Sequence, residues 1–358
     1  MPVVIVRCDG GAAIGMGHVS RCLALAAELR DGHGGHVVFA MRDLASAGAA
    51  AVRAAGYTLT PIVEADTADY GPTLLALTAS LSARVLVVDV RDALSRASLD
   101  AIHAAGVRVV TIDDGSDRRL ASDLAVYPPV PQVDELDWSG FTGRRVAGWE
   151  WVLLKREFAA DVASGLAGSP KRDRREGGGP AVAAQPIDIL VTMGGSDPAG
   201  MTEFAVAALN LLPLPQAVEV VVGPAFDRAA ALARVVARSK HAVRVSQGTD
   251  AMAGLMRDSR LAVVSFGVSA YELAACGVPA VHLCLAADHA RSSSAFVAAG
   301  IAESLGVFAS VRPEQLAAAV SGLLGDTTRC AAMSARARQL VDGRGARRVA
   351  AEVVANLS

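Results

Sequence analysis

The stretch that decides the fold is VVIVRCDGGAAIGMGHVSR, residues 3–21, where an apolar run passes into a glycine-rich turn and then into a helical pattern. The apolar run predicts a buried strand, and the alanine- and leucine-rich residues after the turn predict a helix over about 17–31. Gly15 and Gly17 allow the backbone to turn tightly and to approach a ligand closely. Because ligands of open α/β sheets bind at the carboxyl ends of strands, this turn is the first candidate site.

His18 and Arg21 follow these glycines in the first turn of the predicted helix. They are three residues apart, so they share one side of the helix, and a group that titrates near pH 7 lies beside a permanent cation. The turn is not a P-loop, since no Gly-Lys-Ser/Thr follows, and Ser20 replaces the third glycine of a dinucleotide fingerprint. A buried structural histidine is the alternative, because Cys22 and Leu25 continue the same column of the helix.

The composition predicts a globular α/β protein of two domains. The chain has 358 residues, 52% of them hydrophobic, and a formal net charge of −2. That length is usual for two domains, and that charge predicts no nucleic-acid partner. The five cysteines form no Cys-x-x-Cys pair, which predicts free thiols in a reducing compartment and a cytoplasmic protein. We expect neither a signal peptide nor a membrane-spanning segment.

Short apolar runs alternate with helical stretches in two series. Strands are predicted at 2–7, 36–40, 58–62, 85–89, 107–112 and 123–126, and then at 187–192, 217–222, 242–245, 261–265 and 279–284. Predicted helices of the second series include 198–210, 268–276, 289–299 and 328–356. Repeated β-α-β units with apolar strands imply parallel sheets. The expected fold class is α/β, with two Rossmann-like doubly wound domains facing across a ligand-binding cleft.

A Gly/Pro/Ser-rich stretch separates the two series and predicts the domain boundary. The expected segments are an N-terminal domain over 1–163, a flexible linker over 164–186, a C-terminal domain over 187–335, and a helix over 336–358 that packs back on the first domain.

A doubled glycine follows the first strand of the second series, in the stretch MGGSDP, residues 193–198. Ser196 and Asp197 are typical helix caps, and Pro198 fits the first helical position. Such a helix start presents backbone N–H groups and a positive dipole end to an anion, which predicts a phosphate contact. An ordinary capped turn is the structural alternative. The candidate phosphate contacts are Gly194, Gly195, Ser196, Asp197 and, after the next strand, Gly223.

Another strand-to-helix turn, SFGVSAYE at residues 265–272, offers binding candidates in the second series. Ser269 and Glu272 have the spacing of a capping box, which would explain both residues structurally. The functional alternative is that Glu272 accepts hydrogen bonds from a ribose diol while Gly267 faces a pyrophosphate, and the spacing leaves both interpretations open. The candidates here are Ser265, Gly267, Ser269 and Glu272, and a polar loop further on adds Asp288 and His289.

Carboxylates end two predicted strands of the first series, at Asp89 and at Asp113-Asp114. They are candidates for binding sugar hydroxyls or for orienting His18. A divalent cation is another possible ligand, although no His or Cys stands at ligand spacing. Turn formation and helix capping are the structural alternative.

Several motifs of the chain resemble, in their order, those of a known family. They are Arg7-x-Asp9, Ile14-Gly15-x-Gly17-His18-Val19-x-Arg21-Cys22-Leu23-x-Leu25-Ala26, Asp113-Asp114, Leu153-Leu154-Lys155-x-Glu157-Phe158 and Gly194-Gly195-Ser196-Asp197-Pro198. Over about residues 3–300 the pattern resembles the nucleotide-sugar hydrolases of pseudaminic acid biosynthesis, which act on UDP-2,4-diacetamido-2,4,6-trideoxy-β-L-altropyranose. Related spore-coat polysaccharide proteins share it.

The resemblance implies the GT-B glycosyltransferase architecture, with UDP held mainly by the second domain and the sugar in the cleft. It implies that His18 activates water and that the reaction inverts the anomeric carbon without a metal or another cofactor. Asp9 or Asp113 would orient the imidazole, and Arg21 would hold a phosphate or a sugar carboxamide. Since a nucleoside diphosphate is a good leaving group, helix N-termini can stabilise it without a second carboxyl group.

Three departures from the family pattern leave the sugar and the base open. Asp9-Gly10-Gly11 replaces Asp-Ala-Ser, Tyr271 replaces the tryptophan before Glu272, and Asp288-His289 replaces Asn-Gln. We expect a nucleotide-sugar hydrolase that releases UDP. The alternatives are a GT-B glycosyltransferase, in which an acceptor hydroxyl takes the place of water, and a non-catalytic nucleotide-sugar binder. The sequence predicts no oligomeric state and no role for the linker.

Overall fold

The structure is a computed structural model that describes residues 2–11, 14–63, 69–159, 186–249 and 251–355. It divides into two compact units, the first comprising Met1–Lys155 with Gly343–Ser358 and the second comprising Arg156–Asp342. The predicted linker at 164–186 lies outside the described residues except for its last residue.

The first unit contains a seven-stranded parallel sheet. Its strands are β1 Val3–Cys8, β2 His36–Met41, β3 Thr58–Pro61, β4 Ala83–Asp89, β5 Arg108–Ile112, β6 Leu124–Tyr127 and β7 Arg144–Ala147. The helices between them are α1 Gly17–His33, α2 Ala47–Ala54, α3 Gly71–Ser80 and α4 Arg96–Ala104. The strand order is β3-β2-β1-β4-β5-β6-β7.

Strand β1 is buried on both faces of this sheet. Val4 and Val6 pack into one hydrophobic core, whereas Ile5 belongs to a separate core on the opposite face. A parallel strand covered on both faces reads as a continuous apolar run, which explains why the sequence predicts it so clearly.

The strand order of the first unit reverses between β1 and β4. These strands are parallel neighbours, and Cys8 at the end of β1 is in register with Asp89 at the end of β4. The crevice at such a switch point is where open α/β sheets bind ligands. The glycine turn that follows β1 therefore begins beside the carboxylate that ends β4.

The second unit contains a six-stranded parallel sheet. Its strands are β8 Ile187–Thr192, β9 Ala217–Val222, β10 Ala242–Gln247, β11 Ser259–Ser265, β12 Ala280–Cys284 and β13 Ala302–Val307. Its helices are α5 Met201–Leu209, α6 Ala229–Val236, α7 Met252–Arg257, α8 Val268–Cys276, α9 Ala287–Ala298, α10 Pro313–Gly325 and α11 Thr327–Leu340. The order β10-β9-β8-β11-β12-β13 places its switch point between β8 and β11.

The last helix, α12 Gly345–Val354, returns to the first unit. Val349 and Val353 are fully buried in the core that contains β1 and α1. Gly345 lies against the backbone of Val152, where an added Cβ would come within 2.1 Å of the carbonyl oxygen. The C-terminal segment expected at 336–358 is thus divided, because its first residues complete α11 of the second unit.

The predicted doubly wound α/β fold is confirmed, but some elements differ from the prediction. The edge strands β7 and β13 were not predicted, because each has few buried side chains. In β7, for example, Val146 is the one buried residue. The helix predicted at 328–356 is two helices, interrupted near Gly343, whose φ is 73°. In the part of the chain that the structure describes, no helix combines the length and the apolar character needed to cross a bilayer.

Candidate functional site

The turn after β1 is closed on itself by two backbone hydrogen bonds. The N–H of Gly11 donates to the carbonyl of Gly15 at 3.0 Å, and the N–H of Gly15 donates back at 2.8 Å. Gly15 has a φ of 76°, a conformation that favours glycine. Helix α1 then begins at Gly17, so the predicted glycines shape the turn and bring His18 to the start of the helix.

His18 is paired with the carboxylate that ends β4. Its Nδ1 lies 2.6 Å from Oδ1 of Asp89, whose side chain is 1% exposed, while the imidazole itself is 19% exposed. In the described part of the chain, no residue forms a hydrogen bond with Nε2 of this ring. The histidine is therefore held from one ring nitrogen and partly accessible, which differs from the buried structural histidine that was the alternative.

Arg21 binds the same carboxylate through two hydrogen bonds. Its Nε donates to Oδ2 of Asp89 and its Nη2 donates to Oδ1, both at 2.6 Å. Its Nη1 donates to Oδ2 of Asp113 at 3.1 Å. Arg21 thus forms a bidentate ion pair with Asp89, the strong geometry for a guanidinium and a carboxylate, and its contact with a phosphate or a sugar carboxamide stays a prediction.

The charges around Asp89 keep its carboxylate ionised. Burial disfavours a charge on Asp89, but Arg21 and then His18 outweigh burial and hold the pKa of Asp89 below its usual value. Burial likewise opposes the charge on Arg21, yet Asp89 raises the pKa of Arg21 well above its usual value. An ionised Asp89 accepts hydrogen bonds only, so the 2.6 Å contact is a hydrogen bond donated by Nδ1 of His18, and Nη2 of Arg21 lies 3.2 Å from the same nitrogen.

Of the carboxylates predicted to orient the imidazole, Asp89 contacts the ring, whereas Asp9 and Asp113 do not. Oδ2 of Asp9 lies 2.6 Å from Nη2 of Arg7, and its Oδ1 accepts a hydrogen bond from the backbone N–H of Arg42 at 2.9 Å. Asp113 contacts Arg21 and not the imidazole. The position of Asp89 explains this result, because Asp89 ends β4 and is in register with Cys8 at the end of β1.

Asp114 is a structural residue of the first unit. Its Oδ1 accepts from the hydroxyl of Ser116 at 2.6 Å, and its Oδ2 accepts from Nε of Arg118 at 2.9 Å. The side chain is 4% exposed. Because both carboxylate oxygens of Asp114 already accept hydrogen bonds from neighbouring side chains, the structure favours a role in turn formation over ligand binding.

Sequence reasoning missed a buried polar network beside the site. Nη2 of Arg7 donates to Oδ2 of Asp92 at 3.0 Å, Nε of Arg7 donates to the Tyr70 hydroxyl at 3.0 Å, and this hydroxyl donates to Asp92 at 2.6 Å. Arg118 joins from the other side, with Nη1 3.2 Å from Oδ1 of Asp92. The carboxylates at this edge of the sheet are thus paired with arginines. Within the described ranges, no three His, Cys, Asp or Glu side chains are arranged as metal ligands.

In the second unit, the carboxylate of Asp197 caps helix α5 and binds N–H groups that the sequence analysis assigned to a phosphate. Its Oδ1 accepts from the N–H of Met201 at 2.9 Å and its Oδ2 accepts from the N–H of Thr202 at 2.8 Å. The helix begins at 201, not at 198, so its first N–H groups are already used. Burial raises the pKa of Asp197. The surfaces left for an anion in this turn are the exposed backbone of Gly194 and the half-buried Gly195 and Ser196.

Gly223 supports the same turn by close backbone approach. A Cβ on Gly223 would lie 2.3 Å from the carbonyl oxygen of Gly195 and 2.4 Å from its Cα. The predicted candidate therefore has a steric role, because only glycine lets the loop after β9 lie against the turn after β8.

The capping box predicted for Ser269 and Glu272 is absent from the described structure. Helix α8 begins at Val268, its N-cap is Gly267, and no side chain in the described part of the chain caps it. Ser269 thus lies inside the first turn, and the leading N–H groups point out of the helix without a side-chain cap. This uncapped start lies next to Ser265 at the end of β11 and is the kind of helix N-terminus that can accept an anion.

An aromatic cluster lies beside the start of α8. Phe266 contacts the rings of Tyr271, His282, His289 and Phe296 at centroid distances of 6.1, 5.5, 6.3 and 5.5 Å. Glu272 is 9% exposed, and Asp288 is exposed and accepts a hydrogen bond from the N–H of His289. The ring of His289 therefore lies beside Phe266, the residue that precedes Gly267.

His282 was not predicted as part of any site, because a histidine inside a strand gives no motif. Its ring is fully buried, and Nδ1 lies 2.9 Å from the hydroxyl of Ser293. Burial lowers the pKa of His282 to about 3. The imidazole is therefore neutral and packs against Phe266 and Phe296 as part of the core.

Comparison with known sequences gives one relative. The spore coat polysaccharide biosynthesis protein SpsG of Bacillus subtilis strain 168 is 31% identical over 166 residues, which are 46% of this chain and 49% of the relative. The chain thus matches about half the length of this curated relative. No family model matches the chain.

Comparison with solved structures extends over the whole chain. MurG of Acinetobacter baumannii superposes with a TM-score of 0.68 and 15% identity, covering 99% of both chains. A protein described as a UDP-N-acetylglucosamine 2-epimerase of Listeria monocytogenes gives a TM-score of 0.66 and 14% identity, covering 100% of this chain and 97% of the other. Anabaena Alr3699/HepE in complex with UDP-glucose gives 0.59 and 13% identity, covering 100% of both. With its two parallel-sheet units and these neighbours, the chain has a fold of the GT-B glycosyltransferase type.

Proposed function

We propose that this protein is an inverting hydrolase of a nucleotide-activated amino sugar that releases UDP and the free sugar. The observation that carries the proposal is the His18–Asp89 pair, with Nδ1 held at 2.6 Å and Nε2 left without a protein partner in the described ranges. The similarity to SpsG and the GT-B type of fold support a nucleotide-sugar substrate.

His18 acts as the general base in this proposal. Nε2 takes a proton from water while the water oxygen bonds to the anomeric carbon, and the bond from that carbon to the diphosphate oxygen breaks. The electron pair leaves with UDP, and attack opposite the leaving group inverts the anomeric centre. Asp89 stabilises the imidazolium that forms, as a buried carboxylate does beside other catalytic histidines. General-base assistance of this kind contributes about 10²–10⁴-fold to rate.

The leaving diphosphate needs stabilisation of negative charge more than it needs a proton. The uncapped N-terminus of α8 in the second unit offers backbone N–H groups and the positive end of a helix dipole. The turn of Gly194 and Gly195 supplies further accessible backbone. These residues are peptide donors rather than metal ligands, so the proposal places no metal and no other cofactor in the reaction.

A second candidate is a GT-B glycosyltransferase, favoured by the structural likeness to MurG. The same base would then deprotonate an acceptor hydroxyl in place of water. Nucleotide release without any acceptor distinguishes the two functions. A third candidate, a non-catalytic binder, would bind UDP and release no nucleotide from any sugar offered.

The test is to incubate the protein with UDP-, CMP- and GDP-linked amino sugars without an acceptor and to measure released nucleotide. We expect release of UDP and, by NMR, a first-formed sugar of inverted anomeric configuration. His18→Ala should lose about 10²–10⁴-fold in turnover and keep the affinity for UDP within twofold, because the base acts only in the transition state. Turnover by His18→Ala at the wild-type rate would reject the role of this histidine. Turnover that requires an acceptor would establish the transferase.

A further inference from the structure

The loop that follows β9 lies directly on the Gly194-Gly195 turn. The N–H of Ala225 donates to the carbonyl of Gly195 at 3.1 Å, and the close approach of Gly223 leaves no space between the two loops. Strands β8 and β9 are parallel neighbours, so both loops leave the same edge of the sheet. The start of the β9 loop is therefore fixed against the turn, and Arg228 follows three residues after Ala225.

Arg228 ends this loop immediately before helix α6, and its guanidinium is held from one edge. Its Nε donates to Oε1 of Glu203 at 2.6 Å. The guanidinium lies over Gly200, where a Cβ would come within 2.8 Å of Nη2. The side chain is 44% exposed, and neither Nη group donates a hydrogen bond within the part of the chain that the structure describes.

The two edges of the Arg228 guanidinium therefore have different roles, one in orienting the group and one in binding a ligand. Glu203, which is 10% exposed, orients the group through Nε. The terminal fork of Nη1 and Nη2 remains available on the solvent side. Such a fork matches two oxygen atoms of a phosphate group in a bidentate way, which a lysine ammonium cannot reproduce.

The nearby acids leave this fork open. The carboxylate of Asp197 is turned towards the N–H groups of Met201 and Thr202 that it caps. Glu203 occupies the Nε edge of Arg228. In the described ranges, Glu203 is the carboxylate that forms an ion pair with Arg228, and it does so through Nε, so the terminal nitrogens are left for another ligand.

We propose that Arg228 is the cationic ligand for the diphosphate of the nucleotide in the second unit, oriented by Glu203. This inference rests on the proposed function, from which it takes the ligand. It gives the second unit a side-chain charge for the diphosphate in addition to backbone donors. No motif marks Arg228 in the sequence, because its role depends on the contact between two loops.

The test compares UDP with uridine by calorimetry, for the wild type and for Arg228→Gln. We expect Arg228→Gln to weaken UDP binding about 10–100-fold, as expected for loss of a charge-assisted bidentate contact, and to leave uridine binding within twofold. Arg228→Lys should fall between the two proteins, because it keeps the charge without the fork. Arg234→Gln, an exposed arginine on α6, is the matched control and should bind UDP as the wild type does.

Removal of Arg228 leaves the buried carboxylate of Glu203 without its ion-pair partner, which can destabilise the fold. If Arg228→Gln unfolds, UDP and uridine binding are measured in the double variant Glu203→Gln/Arg228→Gln, which has no unpaired carboxylate at this position. Equal weakening of UDP and uridine in the stable variant would show a structural role and overturn the inference. Wild-type UDP affinity in Arg228→Gln would also overturn it. A wild-type protein that binds no UDP would refute the proposed function itself and, with it, this assignment.

Discussion

Nδ1 of His18 lies 2.6 Å from Oδ1 of Asp89, a residue 71 positions further along the chain. Arg21 holds the same carboxylate through two hydrogen bonds of 2.6 Å, so the carboxylate cannot rotate without breaking them. The imidazole is therefore held in one orientation, with Nδ1 donating to Asp89 while Asp89 is ionised. Arg21 is a positioning residue in this arrangement, because it acts on the histidine through Asp89.

Asp89→Asn is expected to lower nucleotide-sugar turnover by about 10²–10⁴-fold, because an amide can present its N–H to Nδ1 and favour the wrong tautomer. UDP affinity should stay within twofold. Turnover and calorimetry check both. Asp113→Asn is the matched control, since Asp113 contacts Arg21 and not the ring, and asparagine tolerates its φ of 53°. We expect less than a tenfold loss there, and equal losses in the two variants would contradict a special role for Asp89.

Asp89 also predicts how stability depends on acidity. Its pKa is lower in the folded protein than the value of about 3.9 usual for an unfolded chain, mainly because Arg21 outweighs burial. The ion pair therefore contributes stability above about pH 4, and this contribution is lost as pH falls towards the folded pKa. Urea unfolding between pH 6 and about pH 2 should show a steeper loss in the wild type than in Asp89→Asn. Parallel pH profiles would contradict the assignment.

His282 should act on the stability of the second unit in a different pH range. Burial lowers its pKa to about 3, whereas an unfolded histidine titrates near about 6.5. Unfolded chains therefore take up a proton between these values and the folded protein does not, so stability falls as pH drops below about 6.5. His282→Leu should reduce this fall by up to a few kcal/mol near pH 4, measured by urea unfolding at pH 7 and pH 4. An unchanged pH dependence in the variant would show that another group is responsible.

The sequence predicts the strands other than β7 and β13 and places His18 at the start of a helix, because buried parallel strands and glycine turns are local patterns. The partner of His18 is not local: Asp89 becomes the neighbour only through the pairing of β1 with β4. Asp197 shows a different limit. Its residue type correctly indicates a cap, but the helix begins three residues later than predicted, and the carboxylate then occupies the donors that were assigned to phosphate. Ser269 and Glu272 match a capping box by spacing alone, yet Gly267 is the residue at the N-cap.

Two glycines of the second unit offer a matched pair for the steric argument. A Cβ at Gly223 would lie 2.3 Å from the carbonyl oxygen of Gly195, whereas a Cβ at Gly267 would have no neighbour within 4 Å. The φ of Gly267 is 171°, extended backbone that alanine adopts without strain. Substitution by alanine therefore tests close approach at one site and an open position at the other.

Gly223→Ala is expected to lower the free energy of unfolding by about 2 kcal/mol, the usual cost of forcing an extra carbon into a packed contact. Gly267→Ala should lower it by no more than about 1 kcal/mol, because the added Cβ meets no neighbour and the loss is limited to that of a poorer N-cap residue. Urea unfolding followed by circular dichroism measures both changes. Wild-type stability in Gly223→Ala would show that the loops after β8 and β9 can separate at little cost, and the fixed position of the loop that leads to Arg228 would lose its support.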